Sequence, residues 1–566
     1  MQNSSSAARA AIRPFFAVSM VVAIGCATAS SDPTASPGDG APQGARNYEL
    51  GAEMAQLEKD LASAEYAESI LAIRNHNELD GEIGRADLPD NAARFAALHG
   101  GVAAVAEDAL LAAAYDRRRR IDEAFLALMR RAYAGIDREA RFEDELARVR
   151  SEAAAAASRS VATVPAARVE SVLLCPGAER QWPRWRGPWG DGTSRESGLP
   201  ARWSETRGIA WKTAIPGGGN SSPVIWDDRI FLTTAFDEGR RRSLVCVRRS
   251  DGELLYVRDA PFVEPEGRVI AKNGYASATP VVDGERVIAF FGNTGLVAFD
   301  FDGEVLWHRP LGPFDAMHGT GASPVLCGDL AILMQEQSGK DSIGIAVDKR
   351  TGETRWESTR APALGWSTPL VVRVDGRLEL IYGAKHTVAG LDPLTGAELW
   401  RVSGPTNEVV PTPIAGHGFV YSCSGRNGPT LAIRPGGRGD VSASHIGWRV
   451  VRGGPHVPSP VLSADLLWFA NDSGIVTCLD AQSGETIYQH RLNGRFSASP
   501  LAGDGKVYFT SERGETHVVR AGREFEIIAV NSIEETTLAS LASLDGRLYL
   551  RSESTLWAIA GDEGRP

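Results

Sequence analysis

Residues 221–226 read SSPVIW, a Ser-Pro step that opens an apolar run, and this short pattern recurs through the C-terminal two-thirds of the chain. The other copies are ATPVV from Ala278, ASPVL from Ala322, STPLVV from Ser367, PTPIAG from Pro411, PSPVLS from Pro458, ASPLAG from Ala498 and a degenerate ASLASL from Ala539. The prolines, and Leu541 in the last copy, are separated by 57, 44, 45, 44, 47, 40 and 41 residues. Because this period suits the blades of a β-propeller, the pattern predicts a mainly β fold with eight blades.

A second pattern accompanies the first, since most units end in a turn sequence, a glycine and an aromatic residue four positions later. VAFDFDGEVLW ends at Trp307, for example, and VAGLDPLTGAELW ends at Trp400. The Asp, Ser, Thr and Gly residues suit a tight hairpin turn, and the aromatic side chain would then lie on the outermost strand and pack between blades. The aromatic residues predicted to dock blades in this way are Trp211, Tyr256, Trp307, Trp356, Trp400, Trp448 and Tyr488.

The two ends of the repeat region predict how the ring closes. Residues 209–215, IAWKTAI, precede the first Ser-Pro step and have the pattern of an outer strand, whereas the last repeat ends after its third strand. We therefore expect residues 209–215 to complete the eighth blade and to remove its open edge. The fifth and seventh repeats lack the regular turn and aromatic pattern, so their blade boundaries are the least defined.

These repeats resemble the PQQ-binding-like β-propeller family, whose repeats carry a tryptophan-docking pattern. The resemblance covers about residues 182–560 and includes WPRWRGPWGDGTS at residues 182–194, which resembles the lead-in found before many such propellers. It implies the propeller fold and leaves the activity open, because one fold hosts many functions.

The N-terminus has the features of an export signal. Arg9 and Arg13 precede a short apolar run at residues 15–25, and small residues lead directly to Cys26. This order resembles a bacterial lipoprotein signal, which implies a signal peptide over residues 1–25 and lipidation of Cys26. An ordinary export signal that is cleaved nearby is the alternative. Ala27 resembles the residue that directs lipoproteins to the outer membrane.

Composition then divides the rest of the chain. Residues 26–46 are rich in Ala, Ser, Pro and Gly, which predicts a disordered tether. Residues 47–160 are rich in Ala, Arg, Glu and Leu with apolar residues every three or four positions, which predicts a small α-helical region of three or four helices. A lead-in segment over residues 161–205 would connect this region to the propeller at residues 206–561.

Charge and motifs exclude several classes of function. The net charge of −11 over 566 residues leaves no basic footprint for nucleic acid. The chain has no G-x-S-x-G, Walker A, H-E-x-x-H or EF-hand sequence. Apart from Cys26, the cysteines lie too far apart for a metal-binding C-x-x-C pair, and we expect buried free thiols at Cys175, Cys246, Cys327, Cys423 and Cys478.

The loops that enter the innermost strands of a propeller converge near its axis and predict a ligand site at the mouth of the channel. Its candidate residues are Asn273, Tyr275, His318, Trp366, Glu408, His456 and Arg495, with Asn220 and Asn407 close in sequence. The two histidines precede Ser-Pro steps and could hold a metal ion or a polar ligand. An ordinary polar lining is the alternative, and the sequence predicts neither a catalytic residue nor a metal site.

Two classes of function remain open. The first is a non-enzymatic envelope lipoprotein without a cofactor, which faces the periplasm from the outer membrane of a Gram-negative-type bacterium and acts as a scaffold for other envelope proteins. In signal type and blade number the chain is similar to the propeller lipoprotein of the outer-membrane β-barrel assembly machinery, which favours this class. Its partners would be envelope proteins and the membrane, through the lipid anchor, and not nucleic acid.

The second class is a periplasmic PQQ-dependent alcohol or sugar dehydrogenase, or a protein that binds PQQ or another small ligand. The resemblance implies, for such enzymes, PQQ held by Ca²⁺ with Glu, Asn and Asp ligands, an Asp base and often a disulfide between adjacent cysteines. This chain has no adjacent cysteine pair and no long insertion between its repeats. The sequence therefore favours the scaffold.

Overall fold

The computed structural model describes residues 167–173, 175–267 and 269–561. The predicted signal peptide, tether and helical region, together with Cys26, lie outside these described residues. Helix in the described ranges is limited to three short 3-10 turns, Ala178–Arg180, Asp237–Gly239 and Gly292–Thr294. None of the helices in these ranges is long and apolar enough to span a bilayer.

Apart from these turns, the regular secondary structure of the described chain consists of β-strands. In chain order they are β1 Val169–Ser171, β2 Ile209–Ala214, β3 Val224–Trp226, β4 Arg229–Phe236, β5 Arg241–Arg248, β6 Leu254–Asp259, β7 Val281–Val282, β8 Val287–Phe290, β9 Leu296–Phe299, β10 Val305–Arg309, β11 Val325–Cys327, β12 Leu330–Gln335, β13 Ser342–Asp348, β14 Thr354–Arg360, β15 Leu364–Gly365, β16 Leu370–Val374, β17 Arg377–Ala384, β18 Thr387–Leu391, β19 Glu398–Ser403, β20 Glu408–Val409, β21 Ile414–Gly416, β22 Phe419–Cys423, β23 Thr430–Ile433, β24 Gly439–Asp440, β25 Ile446–Val450, β26 Val461–Ser463, β27 Leu466–Ala470, β28 Ile475–Asp480, β29 Thr486–Arg491, β30 Leu501–Gly503, β31 Lys506–Thr510, β32 Glu515–Arg520, β33 Ile527–Ser532, β34 Ala542–Leu544, β35 Arg547–Arg551 and β36 Thr555–Ile559.

Eight antiparallel sheets form the blades of a propeller. Blades 1 to 3 are β3–β6, β7–β10 and β11–β14, blade 4 is β16–β19, blade 5 is β21–β23 with β25, blades 6 and 7 are β26–β29 and β30–β33, and blade 8 is β34–β36 with β2. Blade 4 is extended by β1 on its inner side and by β24 on its outer side, and β15 pairs with β20 in parallel. The predicted eight-bladed fold is confirmed.

Blade 8 joins the two ends of the propeller. Strand β2 pairs antiparallel with β36, with Trp211 opposite Ala558 and Ala214 opposite Thr555. The outer strand of this blade thus comes from more than 300 residues earlier in the chain. Because β2 pairs with β36, the last strand of the repeat region is not left as an unpaired sheet edge.

The Ser/Thr residue before each proline, or before Leu541 in blade 8, links neighbouring blades. In seven of the eight blades its backbone N–H donates to the hydroxyl of the equivalent residue in the next blade at 2.9–3.0 Å. These bonds run from Ser222 to Thr279, Thr279 to Ser323, Ser323 to Thr368, Thr412 to Ser459, Ser459 to Ser499, Ser499 to Ser540 and Ser540 to Ser222. They form a hydroxyl belt around the channel, which satisfies buried amide groups between blades.

The outer aromatic residues contact the turn of the following blade in six of the seven predicted positions. Each donates to a backbone carbonyl there: Trp211 to Arg249, Tyr256 to Phe301, Trp307 to Lys349, Trp356 to Pro393, Trp448 to Ala481 and Tyr488 to Gly522. The turn glycine lies against the ring, and a Cβ atom at Gly352 would stand 2.7 Å from Trp307.

Trp400 is placed differently. Its indole N–H donates to the carboxylate of Glu379 in its own sheet, at 2.7 Å, and it is fully buried. The reason is the longer turn of the fifth repeat, which contributes β24 as an additional strand alongside β19, opposite Trp400. An extra strand, not the turn of the next blade, covers this side chain.

Between the blades the core consists of interleaved aliphatic and aromatic side chains. Cys246, Cys327, Cys423 and Cys478 are buried in it and Cys175 is half-buried, and all five are free thiols. Burial raises the pKa of the Cys423 thiol to about 12. A thiol with so high a pKa stays protonated at neutral pH and is a poor nucleophile.

Candidate functional site

The lead-in segment, residues 182–196, lies across one end of the channel. It contacts the inner strands of most blades, through bonds between Trp182 and Ile225, Pro183 and Val282, Trp185 and Thr412, Arg186 and Pro460, Gly192 and Ala502, and Glu196 and Asp545. We call this end the plug face. The contacts reach blades 1, 2, 5, 6, 7 and 8, so one segment closes this end of the ring.

Two arginines hold the lead-in segment, which we call the plug, in place through hydrogen bonds. The side chains of Arg184 and Arg186 are buried, and their guanidinium groups donate to backbone carbonyls, including that of Pro460 in blade 6. Burial lowers the pKa of each guanidinium to about 10, since the charged form loses its hydration. Both nevertheless stay charged at neutral pH and hold the segment through charge-assisted bonds.

The opposite end of the channel, which we call the mouth face, contains an open cavity of about 630 Å³. Hydroxyl groups of the belt and the indole of Trp185 line this cavity, together with the loops that lead into the inner strands. Trp185 donates to the Thr412 hydroxyl at 2.9 Å. This is the one hydroxyl of the belt that does not accept a backbone N–H from the preceding blade within the described residues. The lead-in segment therefore forms part of the cavity wall through Trp185.

Six of the seven predicted site residues line this cavity. They are Asn273, His318, Trp366, Glu408, His456 and Arg495, and Asn220 lines it as well. Tyr275 instead lines a neighbouring cavity of about 460 Å³, where its ring packs 5.4 Å from the guanidinium carbon of Arg242. Asn407 is exposed and lines neither of these two cavities.

Glu408 is the centre of one charged group in the cavity. Its carboxylate contacts the His456 ring nitrogen Nε2 at 2.9 Å and the Arg426 guanidinium at 3.2 Å. The hydrogen bond from His456 and the nearby charge of Arg426 outweigh burial and lower the pKa of Glu408 to about 2. Glu408 is therefore ionised under all physiological conditions, and its charge is already paired.

Asp472 fixes the backbone beside this group. Its two carboxylate oxygens accept the backbone N–H groups of His456 at 3.0 Å and Val457 at 3.3 Å. The loop that carries His456 is therefore held from two sides, by Glu408 at its side chain and by Asp472 at its backbone.

His318 and Trp366 form an aromatic pair on the other side of the cavity. Their rings are stacked at a centroid distance of 5.8 Å, and the Trp366 indole donates to Gly319 at 2.8 Å. The side-chain amide of Asn273 donates to the carbonyls of His318 and Thr320 at 2.9 Å. His318 Nδ1 is buried and has no hydrogen-bond partner within the described residues.

Several cavity residues escaped the sequence-based prediction. Trp185 was recognised only as part of the lead-in, while Lys272, Arg426 and Asp472 carry no repeat signal because they lie in irregular loops. Lys272 contacts Glu512 at 2.6 Å, from the opposite side of the ring. Among the groups that line the channel, only the belt residues have a repeated position in the sequence, directly before each Pro or Leu541.

The polar groups of the cavity do not suit a calcium-bound quinone. Ca²⁺ requires six to eight oxygen ligands, whereas Glu408 is engaged by the Arg426 guanidinium and the His456 imidazole, and Asp472 by two backbone amides. The described residues contain no group of three or more His, Cys, Asp or Glu side chains able to hold a metal ion. No reaction step through this cofactor can be derived from these residues.

A family model described as outer membrane protein assembly factor BamB matches residues 199–363, 339–432 and 384–565. Together these overlapping matches extend over the propeller and well over half of the chain. The chain belongs to this family. The membership confirms the predicted resemblance to PQQ-like propellers. No curated protein sequence matches the chain significantly.

Three solved structures are similar to this chain. BamB from Moraxella catarrhalis is 16% identical over 63% of this chain and 98% of its own, with a TM-score of 0.47. Quinohemoprotein alcohol dehydrogenase from Comamonas testosteroni is 11% identical over 69% and 82%, with a TM-score of 0.50. The quinohemoprotein alcohol dehydrogenase ADHIIG from Pseudomonas putida HK5 is 10% identical over 68% and 81%, with a TM-score of 0.53. At these low identities the two dehydrogenases show a common fold and say nothing about function.

Proposed function

We propose that this protein is a non-enzymatic cell-envelope lipoprotein whose propeller binds another envelope protein at the mouth face. One observation carries the proposal: apolar side chains are exposed on the two longest mouth-face loops, beside a cavity whose carboxylates are already paired. Membership of the BamB assembly-factor family supports an assembly role over a catalytic one.

Exposed apolar side chains occur on both of these loops. Phe262 and Ile270 in the loop between blades 1 and 2 are 63% and 37% exposed, and Met317 in the loop between blades 2 and 3 is 45% exposed. Ile270 also lines the cavity. Large apolar groups at one place on a surface favour a protein contact there, because burying them from water is favourable.

The first of these loops is anchored to the propeller at Glu266. Glu266, at its middle, is buried and forms an ion pair with Arg242 of β5. The same carboxylate accepts the backbone N–H of Asn293 at 2.9 Å, in the 3-10 turn of blade 2. A preformed loop lowers the entropic cost of binding.

The proposal includes attachment to the membrane. The lipoprotein-type signal at residues 1–25 and lipidation at Cys26 would anchor the chain, and Ala27 favours the outer membrane with the propeller facing the periplasm. Metabolic labelling with a fatty-acid analogue tests this part, since Cys26→Ser should lose the label and leave the protein in the soluble fraction.

Site-specific photo-crosslinking in the native envelope tests the partner directly. A photo-reactive phenylalanine analogue at Met317 should give a covalent adduct with one protein. The matched control is Leu394, which is 61% exposed in the outer turn of blade 4 on the plug face. Equal adducts from both positions, or none from Met317 and Phe262, would contradict the proposal.

The second candidate is a PQQ-dependent dehydrogenase or a protein that binds PQQ or another small ligand. The observation in its favour is the open cavity, where Trp366, His318 and Arg495 could contact a flat anionic ligand. Thermal melting with PQQ and Ca²⁺ separates the two candidates, because a ligand of the folded state raises the midpoint. We expect no shift, and a saturable shift that is lost in His318→Ala would favour the second candidate.

A further inference from the structure

The mouth face carries an unequal distribution of charge around its rim. Exposed cations occur on the mouth-face loops of blades 4 to 7, and we call this set the basic sector. Its members are Lys385, Arg426, Arg452, Arg495 and Arg513. This sector contrasts with the net charge of −11 for the whole chain, so it is not the consequence of a generally basic surface.

Topology places these residues at the same end of the propeller. Arg452 and Arg495 lie in loops that lead into the inner strands of blades 6 and 7, and Lys385, Arg426 and Arg513 lie in turns between the two middle strands of blades 4, 5 and 7. Both kinds of connection occur at the end where the innermost strands begin. Arg426 and Arg495 also line the open cavity.

Hydrogen bonds link neighbouring parts of the basic sector. The residue after Arg452, Gly453, donates its backbone N–H to the side chain of Asn427, which follows Arg426. The carbonyl of Arg495 accepts the backbone N–H of Glu512, which precedes Arg513, at 2.7 Å. Arg426 and Arg452 therefore lie in neighbouring loops, as do Arg495 and Arg513.

Part of this positive charge is not neutralised within the protein. Arg426 pairs with Glu408, and none of the other four cations forms an ion pair within 4 Å among the described residues. Arg495 lies close enough to Glu512 to help lower the pKa of that carboxyl group, and the charge of Lys385 acts on the buried Glu336. Arg452 and Arg513 have no such carboxylate among the described residues and remain fully available to a partner.

The rim on the opposite side carries unpaired carboxylates, whereas its exposed cations Arg240 and Lys272 are paired with Glu264 and Glu512. Asp237 and Glu238 in blade 1 and Glu534 and Glu553 in blade 8 are exposed on the same face and have no ion-pair partner among the described residues. A rim with separated positive and negative sectors orients an approaching charged partner before contact, and this raises the rate of productive encounter.

We infer that the basic sector binds an acidic polypeptide segment of the partner, a specification that rests on the proposed scaffold function. The concave shape of the rim favours a chain segment over a flat membrane surface, because Arg426 and Arg495 border a cavity that a side chain can enter. Val451, 66% exposed beside Arg452, adds an apolar contact suited to a protein. A carboxylate paired with exposed arginines provides both charge and hydrogen bonds.

A peptide-binding measurement tests this inference without knowledge of the partner. The probe is a fluorescein-labelled peptide of about ten glutamates, and its uncharged control is the same peptide with glutamine at every position. Both are titrated by fluorescence anisotropy into the full mature chain. The variant R452E/R495E removes two unpaired cations, and R202E/R438E makes the same charge change at exposed positions outside the mouth face.

We expect the glutamate peptide to bind at least about tenfold more tightly than the glutamine peptide, and binding to weaken as salt is raised. R452E/R495E should lose at least about tenfold in affinity, whereas R202E/R438E should lose less than about twofold. Equal loss in both variants, or equal binding of both peptides, would overturn the inference. Tighter binding of anionic vesicles or of a DNA oligonucleotide, with the same dependence on Arg452 and Arg495, would overturn the choice of a polypeptide.

The crosslink from Met317 separates this inference from the proposed function. If the adduct forms equally in the wild type and in R452E/R495E, the scaffold function stands and the acidic-partner inference falls. If the glutamate peptide binds as expected while no adduct forms, the basic sector is a real binding site and the proposed function falls. Loss of the adduct in R452E/R495E alone supports both.

Discussion

The two ends of the propeller channel differ in the burial of their cationic side chains. At the plug face the lead-in segment bonds to six blades, and its two buried arginines donate to backbone carbonyls. At the mouth face apolar side chains are exposed, and four exposed cations form no ion pair within 4 Å among the described residues. The contrast supports the proposal that the plug face serves stability and the mouth face serves recognition.

The contrast also explains why one fold can serve different functions. The belt, the docking aromatics and the plug satisfy the requirements of the ring and place few restrictions on the mouth-face loops. Those loops can then change in length and charge at little cost to the core, as is usual for loops on a rigid scaffold. Substitutions at the two ends should accordingly have very different effects on stability.

The largest expected effect follows from truncating the plug. Trp182 is 2% exposed, packs in the core cluster shared by blades 1, 7 and 8, and exchanges two backbone bonds with Ile225. Trp182→Ala should lower the free energy of unfolding by about 3–5 kcal/mol, since it removes a large buried side chain and leaves a cavity. Urea unfolding measures this change.

The matched change at the mouth face is Phe262→Ala. Its ring is mostly exposed, so we expect a change in the free energy of unfolding within about 0.5 kcal/mol. A comparable loss in both variants would show that the two ends do not divide stability and recognition between them.

The next effect concerns docking between blades. Gly352 has a φ of 75°, and a Cβ atom there would stand 2.7 Å from the Trp307 ring. Gly376 has a φ of 88° but open space around it. Both changes to Ala incur the backbone cost of about 1–2 kcal/mol, and Gly352→Ala should lose a further ~1–3 kcal/mol by displacing the indole.

Thermal melting of this pair isolates the contribution of tryptophan docking. Equal shifts in the midpoint for Gly352→Ala and Gly376→Ala would mean that contact with the turn glycine adds nothing to the packing of blades 2 and 3.

A smaller effect depends on pH and on the mouth-face carboxylate. The pKa of Glu408 falls from its usual 4.5 to about 2 in the folded protein. A lowered pKa gives stability that is present above pH 4.5 and is lost as the pH falls toward 2, because the unfolded chain then binds the proton more readily. Glu408→Gln should therefore be less stable than the wild type at pH 7 and should approach it near pH 2.

Urea unfolding between these pH values measures the convergence of the two stability curves. Glu553→Gln provides the control, since Glu553 is exposed without an ion-pair partner among the described residues and its replacement should change stability at pH 7 by less than about 0.5 kcal/mol. Parallel curves for Glu408→Gln and the wild type would show that the contacts with His456 and Arg426 contribute no stability.

The fold was predictable because its signals are local and repeated. The Ser/Thr-Pro step recurs in seven blades and in a degenerate form in the eighth, and the structure shows its hydroxyl and amide bonded to neighbouring blades. Trp400 could not be foreseen, because its environment depends on β24, an additional strand formed only by the irregular fifth repeat. The plug was recognised as a lead-in, but its path across the channel involves contacts between distant residues that no local pattern encodes.

The candidate site was predictable only in part for the same reason. His318 and His456 stood out by their positions before Ser-Pro steps, and both line the cavity. Their partners did not stand out: Arg426 reaches Glu408 from a turn of the same blade, and Lys272 reaches Glu512 across the ring. The second pair depends on closure of the propeller, and neither pair has a recurrent sequence spacing.

The most direct test of the division between the two ends is the affinity of the purified chain for the protein captured by crosslinking from Met317. We predict that Met317→Glu raises the dissociation constant by at least about tenfold, a loss of about 1.4 kcal/mol, while Leu394→Glu on the plug face leaves it within about twofold. Unchanged affinity in Met317→Glu, or an equal loss in Leu394→Glu, would contradict the assignment of recognition to the mouth face.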